Sequence, residues 1–479
     1  MDVGYRIVEV EDWHKIPANK LPYNNQIFCY SNIDEIKSYN MGLYLNNKRQ
    51  YCVGGFVGVC VLKNIYDEDY IDEAGNKIIL KVIPRFKVSP WEMLSKVMND
   101  AEYDKYVIAA DARKESFYEI FDDEKPLKLD VDESGGEVLL AVSFIRACYK
   151  VCSTILNRRM SYTCENLNGK VRGRIDFNNQ IRKNIVNGRE DRIYCKYPKF
   201  SEDTLENQIL KQGLLKSESI LRVNSCFDVK GLVKIREMLI YCKKRLTSVT
   251  DMTIKRSDFS QVNDKGFNAS YAPAINLAKM VLLHSSMSVS SKGEKSSYVV
   301  PYAIRMETVF EYYARFMIKE LFENRTDKNE WKIDDYKDIS DPHDLLKTTK
   351  NNDAYIMKSY IPDIAIMHFN KEDGKWEYVT VLDVKYQRSS DPNESSVRHN
   401  THQLFFYMLL LNTCKCGFIF PSEYGRDYGS FIDEIIQQNG EVNGLSRYYS
   451  EFHISFEKNE NDKTLQRLAK YNELRGMYK

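Results

Sequence analysis

Asp363 and Asp383 stand twenty residues apart, and Lys385 follows the second aspartate by two positions. If Asp383 and Lys385 lie on a β-strand, the period of two puts both side chains on one face. A second strand carrying Asp363 beside it brings two carboxylates and one ammonium together. Two carboxylates offer the hard oxygen ligands that Mg²⁺ takes. Hydrolysis of a phosphodiester needs a bound water of lowered pKa, positive charge against the phosphate, and a cation to orient the nucleophile. Read singly, each acid is also an ordinary solvated surface group; the ordered set carries the expectation.

The flanking residues are suited to position that set. Tyr378-Val379-Thr380-Val381-Leu382-Asp383-Val384-Lys385-Tyr386 is rich in β-formers and reads as a strand. Strict alternation places Tyr378, Thr380, Leu382, Val384 and Tyr386 on one face and Val379, Val381, Asp383 and Lys385 on the other. Tyr360 to Met367 reads as its partner, with Pro362 at the strand start, where a missing N–H is tolerated. The charged segment Asn370 to Lys375, with Asp373-Gly374, predicts an antiparallel hairpin turn. Upstream, Val309, Phe310, Tyr313, Phe316, Met317 and Leu321 recur at helical spacing over Met306 to Leu321, with Glu307 and Glu311 one turn apart at the edge of that stripe. Either glutamate could add a further metal-site acid or be an exposed helix acid. Downstream, a helix opening at His402 sets Gln403 and Tyr407 at i, i+4. This order of elements is that of a Mg²⁺-dependent PD-(D/E)xK nuclease core, with a restriction-endonuclease-like mixed sheet flanked by helices.

Three upstream stretches sharpen the expectation. The first is Phe56 to Leu62, with Ile79-Leu80-Lys81-Val82-Ile83-Pro84-Arg85-Phe86 and Leu94 to Met98. The second is Gly169-Lys170-Val171-Arg172-Gly173-Arg174-Ile175-Asp176-Phe177, ending at Gln180-Ile181-Arg182. The third is Phe200-Ser201-Glu202-Asp203-Thr204-Leu205-Glu206-Asn207-Gln208-Ile209-Leu210-Lys211. With Phe310-Glu311, the nuclease motifs and Gly417 to Pro421, they resemble in order McrC, the nuclease subunit of McrBC-type restriction systems, from about residue 50 to 425. The chain is longer than is common for that family, which predicts insertions around 64–78, 220–295 and 325–355. The resemblance implies a Mg²⁺-dependent DNA endonuclease of anti-phage defence, activated by a hexameric McrB-like AAA+ GTPase. It implies metal binding by Asp363, Asp383 and Glu311, orientation of the attacking water by Lys385, and accessory roles for Gln403 and Tyr407. A stand-alone repair nuclease or exonuclease, and a non-catalytic activator of an AAA+ motor, are the alternatives.

Composition sets bounds. At 479 residues the chain needs two or three domains. A formal net charge of +1 means that a DNA-binding face must be a local patch. Residues 165–192 are the candidate, through Arg172, Arg174, Arg182 and Lys183; a solvated loop and helix face is the other reading. Eleven scattered cysteines point to a reduced, cytoplasmic setting. Cys148 and Cys152, at i, i+4, read as buried thiols, since no four-ligand set accompanies them. His399 and His402 lack a metal-ligand pattern and read as structural or DNA-contact groups. Met1 to Pro17 does not read as a signal peptide, and no apolar run suits a membrane span. Gly293-Glu294-Lys295-Ser296 is too poor an echo of a phosphate-binding loop to predict nucleotide hydrolysis. The expected architecture is α+β or α/β: a mixed N-terminal domain over 1–110, which the resemblance implies docks the AAA+ partner, a mostly helical middle region over 111–295, and the nuclease domain over 296–479, ending in a helix over Asp462 to Leu474.

Overall fold

The computed structural model describes residues 4–86, 89–100, 102–103, 105–107, 115–121, 127–129, 135–223, 232–262, 266–284, 297–323, 328–334, 347–350, 353–356, 362–388, 394–422, 432–435, 447–454 and 458–473. The Gly293–Ser296 echo and the start of the expected Tyr360 strand lie outside the described residues, as does the side chain of His399. The fold is a mixed α+β arrangement with several sheets. It forms two compact units: Met1–Glu124 with Pro301–Lys479, and Lys125–Val300.

The first unit draws on both ends of the chain. Residues 1–110 and 296–479, read from sequence as two domains, meet in one sheet. Its strands run in the order Tyr5–Glu11, Lys77–Ile83, Phe56–Val61, Tyr302–Arg305, Tyr118–Ile120. The first pair is parallel and the rest antiparallel. Gly58 explains how Tyr302–Arg305 fits against Phe56–Val61. Its φ is +151°, and a Cβ there would lie 2.1 Å from the Tyr302 carbonyl oxygen, so only glycine admits that approach. Val8, Val10, Ile78, Leu80, Val82, Cys60 and Ala303 belong to the core behind this sheet. Helix Pro90–Asn99 starts with Pro90 in its first turn, and Ser89 Oγ accepts the Glu92 N–H at 3.3 Å.

The same unit holds a six-stranded mixed sheet, in the order Trp331–Ile333, Ile364–Asn370, Lys375–Val384, Lys415–Pro421, Arg447–Ile454, Ile432–Ile435. The hairpin predicted around Gly374 is present: Ile364–Asn370 and Lys375–Val384 are antiparallel, and Gly374 takes φ +65°. Lys375–Val384 then pairs in parallel with Lys415–Pro421, its other neighbour. Helix Glu394–Leu410 covers one face through Leu404, Tyr407 and Met408, packed with Val381, Cys416, Phe418 and Phe420. Helices Met306–Glu323 and Lys458–Glu473 stand on the other face: Phe310 meets Tyr386, and Thr380 Oγ1 donates to Asn472 Oδ1 at 2.6 Å.

One expected detail is corrected. The register slips between Ile366 and Met367, a β-bulge opposite Val379. Alternation therefore breaks at Val379, and Tyr378 packs with the cluster that holds Val381, not on the Thr380 face. Beyond the bulge, Thr380 to Lys385 keep the predicted alternation.

The second unit packs helices Gly135–Cys152, Leu205–Val223, Val233–Arg245 and Ala272–His284. A Cβ on Gly213 would fall 2.6 Å from the Phe144 ring, so this glycine sets a close helix approach. From that core extends a sheet of Arg159–Asn168, Arg192–Ser201 and Arg174–Ile175, followed by helical turns Phe177–Gln180 and Ile181–Ile185. The segment 165–192, the candidate basic patch, holds the end of strand Arg159–Asn168, strand Arg174–Ile175, the helical turns over 177–185 and the loops between them.

Candidate metal and phosphate site

Asp363 directly precedes Ile364, which pairs with Leu382; one step further along that register puts Asp363 opposite Asp383. Asp363 Oδ2 accepts the Val384 N–H at 2.7 Å, so the carboxylate caps the end of the neighbouring strand. Asp383 is 2% exposed, and Lys385 Nζ lies 2.9 Å from its Oδ2. The Asp363 carboxyl thus faces that of Asp383. Burial, then the Asp363 charge, push Asp383 up to about 7 against the pull of Lys385. Burial would lower the Lys385 ammonium, but the Asp383 and Asp363 charges outweigh it and hold the lysine above its ordinary range.

Helix Glu394–Leu410 closes the site from the Asp383 face. Gln403 Nε2 donates to Tyr407 OH at 2.8 Å. Burial raises the Tyr407 phenol, which also feels the charges of Asp383, Asp363 and Lys385. The structure therefore brings together Asp363, Asp383, Lys385, Tyr407 and Gln403. His402, on the same helix, is exposed.

The two glutamates of helix Met306–Glu323 separate. Glu307 hydrogen-bonds Trp13 beside Gly55 and belongs with the N-terminal strands. Glu311 is half-buried one turn before Arg315, whose guanidinium donates to the Asp363 carbonyl at 3.4 Å and the Asp334 carbonyl at 2.9 Å. The helix thus passes the strand end that carries Asp363, although it stands on the face opposite Asp383 and Lys385.

Two facing carboxyls, Asp383 buried and Asp363 half-buried, mark a place for a cation. A divalent ion there would neutralise both acids, and the donors are hard oxygens, as Mg²⁺ prefers. The residues fit that ion.

Arg172, Arg174, Arg182 and Lys183 belong to the second unit: Arg174 is on strand Arg174–Ile175, Arg172 in the loop before it, and Arg182 and Lys183 on the helical turn Ile181–Ile185, all exposed. The Arg172 guanidinium sits 4.3 Å from the Tyr197 ring centroid, and Lys183 Nζ sits 4.8 Å from that of Tyr194. Met160, Tyr162, Phe177, Ile185, Val186 and Phe200 are exposed around them, an apolar component that the charge pattern alone did not reveal. The Phe200–Lys211 stretch has a structural explanation. Buried Asn207 donates to the Glu202 and Asn157 carbonyls at 2.7 and 3.1 Å and accepts from Tyr271 OH at 3.0 Å. Glu202 pairs with Arg158 and Arg245 at 2.8 and 3.2 Å.

Sequence reasoning missed one cluster. Cys242 joins Cys148 and Cys152, with all three Sγ atoms within 4.8 Å of one another and buried. Three sulfurs are one short of a closed zinc tetrahedron, and they sit among core helices.

A family model described as McrBC 5-methylcytosine restriction system component matches residues 92–421, more than half of the chain. No curated protein matches. Among solved structures, a chain from a refined half-complex of a tetradecameric assembly of Thermococcus gammatolerans McrB AAA+ hexamers with bound McrC is 13% identical, at TM-score 0.40, covering 98% of this chain and 100% of that one. A chain of the Thermococcus gammatolerans McrBC complex is also 13% identical, at TM-score 0.28, covering 66% of this chain and 88% of that one.

Proposed function

The chain belongs to the McrBC 5-methylcytosine restriction system component family, and on that premise we propose that it is the McrC-like, Mg²⁺-dependent DNA endonuclease subunit of such a system, built on a PD-(D/E)xK core. The observation that carries the reading is the meeting of Asp363, Asp383 and Lys385 at the end of two paired strands. Asp363 and Asp383 would hold Mg²⁺, with Glu311 as the helix acid. When bound, the ion would lower the pKa of a coordinated water and offset phosphate charge. Lys385 orients the attacking water and meets charge developing on the phosphate. Tyr407, held by Gln403, sets the wall facing the pair. The reaction is direct hydrolysis, with no covalent enzyme intermediate.

The partner we propose is a McrB-like AAA+ GTPase hexamer. Residues 1–110 were the expected docking region, and Arg172, Arg174, Arg182 and Lys183 the expected DNA contacts. The exposed Met160, Tyr162, Phe177, Ile185 and Phe200 favour a second reading of that basic sheet. Apolar groups of this size suit a protein surface better than a phosphate backbone, so the sheet is our preferred docking face for the partner.

The test is cleavage of methylated and unmethylated plasmid with Mg²⁺ and GTP or ATP, by the protein alone and with the AAA+ protein, using Asp383→Ala as control. Cutting that needs partner and nucleotide and disappears in the variant supports the reading. Cutting by the lone protein moves the assignment to a stand-alone nuclease; stimulated GTPase without cutting moves it to an activator.

A further inference from the structure

A second buried polar cluster lies one residue beyond Lys385. Asp12 follows strand Tyr5–Glu11, and Arg85 follows Lys77–Ile83 after Pro84; the parallel register Glu11↔Ile83 delivers them side by side. Asp12 is 0% exposed; its Oδ1 accepts the Arg85 N–H at 2.6 Å, and its Oδ2 lies 3.6 Å from Arg85 Nε. The guanidinium reaches across the unit: Arg85 Nη2 donates to the Tyr386 carbonyl at 2.6 Å. It also sits 4.8 Å from the Phe86 ring centroid and 5.5 Å from that of Tyr386. The Tyr386 ring packs edge-on against Phe86 at 5.0 Å and tilted against Phe310 at 5.8 Å.

We infer that Arg85, oriented by Asp12, is a positioning residue for Lys385. The backbone around Lys385 is fixed on both flanks: its own N–H donates to the Ile419 carbonyl at 2.9 Å, and the next carbonyl is held by Arg85. A buried ion pair is a poor source of stability, since apolar groups of similar volume usually do as well or better. Geometry is what this pair supplies that apolar groups cannot. The planar guanidinium stands between the Asp12 carboxylate, 3.6 Å from its Nε, and the Tyr386 carbonyl just past the strand that carries Asp383. Phe310 adds the helix of Glu311 to the same clamp.

The inference rests on the nuclease reading, so the experiment first establishes wild-type cleavage with partner and nucleotide, and its loss in Asp383→Ala. If the wild type cuts nothing, the nuclease reading falls and this one with it. Arg85→Ala strands a buried carboxylate and risks unfolding, so the decisive variant is Asp12→Asn with Arg85→Met, which removes both charges and keeps the volume. The expected result is a kcat lowered about 10- to 100-fold, as for misplacement of about 1 Å, with KM for DNA, partner GTPase stimulation and unfolding temperature close to wild type. Arg85→Lys, which keeps the charge but loses the planar guanidinium that lies between Asp12 and the Tyr386 carbonyl, recovers part of kcat. A double variant that cuts at the wild-type rate overturns the inference, and so does a loss of cutting that merely follows the fraction unfolded.

Discussion

Replacing Asp383 by Asn should abolish cleavage and, without divalent ions, make the protein more stable at pH 8. Asp383 is held at about 7 in the fold against an ordinary 3.8, because burial and the Asp363 charge disfavour its ionised form. The native state therefore binds a proton that the unfolded chain has released. Stability is full below about pH 4, falls as pH rises from about 4 to 7, and is constant above. At about 1.4 kcal/mol per pH unit, that difference caps the cost of ionisation at about 4 kcal/mol. Asparagine never ionises, but it forfeits the 2.9 Å contact with Lys385, so the net gain should be about 1–3 kcal/mol, of the order of 2–5 °C in the unfolding midpoint of a unit this size. The assay is thermal unfolding of both proteins at pH 5 and pH 8, with and without Mg²⁺. The variant should lead at pH 8, the lead should shrink at pH 5, and Mg²⁺ should raise only the wild type. A variant less stable than wild type by the same margin at both pH values would refute the reasoning.

Three other outcomes are open to direct measurement. Gly58→Ala, with its Cβ 2.1 Å from the Tyr302 carbonyl oxygen, should cost about 3 kcal/mol in urea unfolding; an unchanged midpoint would contradict the close approach. Tyr407→Phe keeps the ring but loses the hydroxyl bound by Gln403, and should slow cleavage about tenfold, about 1.4 kcal/mol in barrier, with the unfolding midpoint moved by less than about 1 kcal/mol. Asn472→Ala leaves the buried Thr380 hydroxyl without its acceptor and should cost about 1–3 kcal/mol by thermal unfolding, while the rate of cutting by the folded fraction stays unchanged.

The local parts of this fold were readable because each rests on short-range chemistry. The β-branched run at 379–384 and the turn at Asp373-Gly374 specify the hairpin that sets Asp363 opposite Asp383. Helical spacing over 306–321 and 402–409 specifies the flanking helices. What escaped depends on contacts made across the chain. The face of Tyr378 turns on a bulge, which no alternation rule announces. Cys242 meets Cys148 only once two helices pack. Arg85 was visible within the Ile79 to Phe86 stretch, but its hold on Tyr386 joins residues 301 positions apart, a pairing without any local signal. The role of Asn207 was equally hidden, because its partners lie in a loop and on a distant helix.

The interleaved sheet of the first unit has a consequence for how the protein is made. Strand Tyr302–Arg305 lies between Phe56–Val61 and Tyr118–Ile120, so on the ribosome the first 124 residues lack a central strand until some 300 have emerged. The inserted unit, 125–300, is synthesised meanwhile and has its helices complete before the first unit can close. Such long-range pairing slows folding. It also imposes an order: Asp363 and Asp383 come after the strand that completes the N-terminal sheet, and Arg85 has nothing to grip until Tyr386 arrives. A nascent or truncated chain therefore holds no assembled site; Asp363, Asp383 and Lys385 come together only as the last third of the protein is laid down.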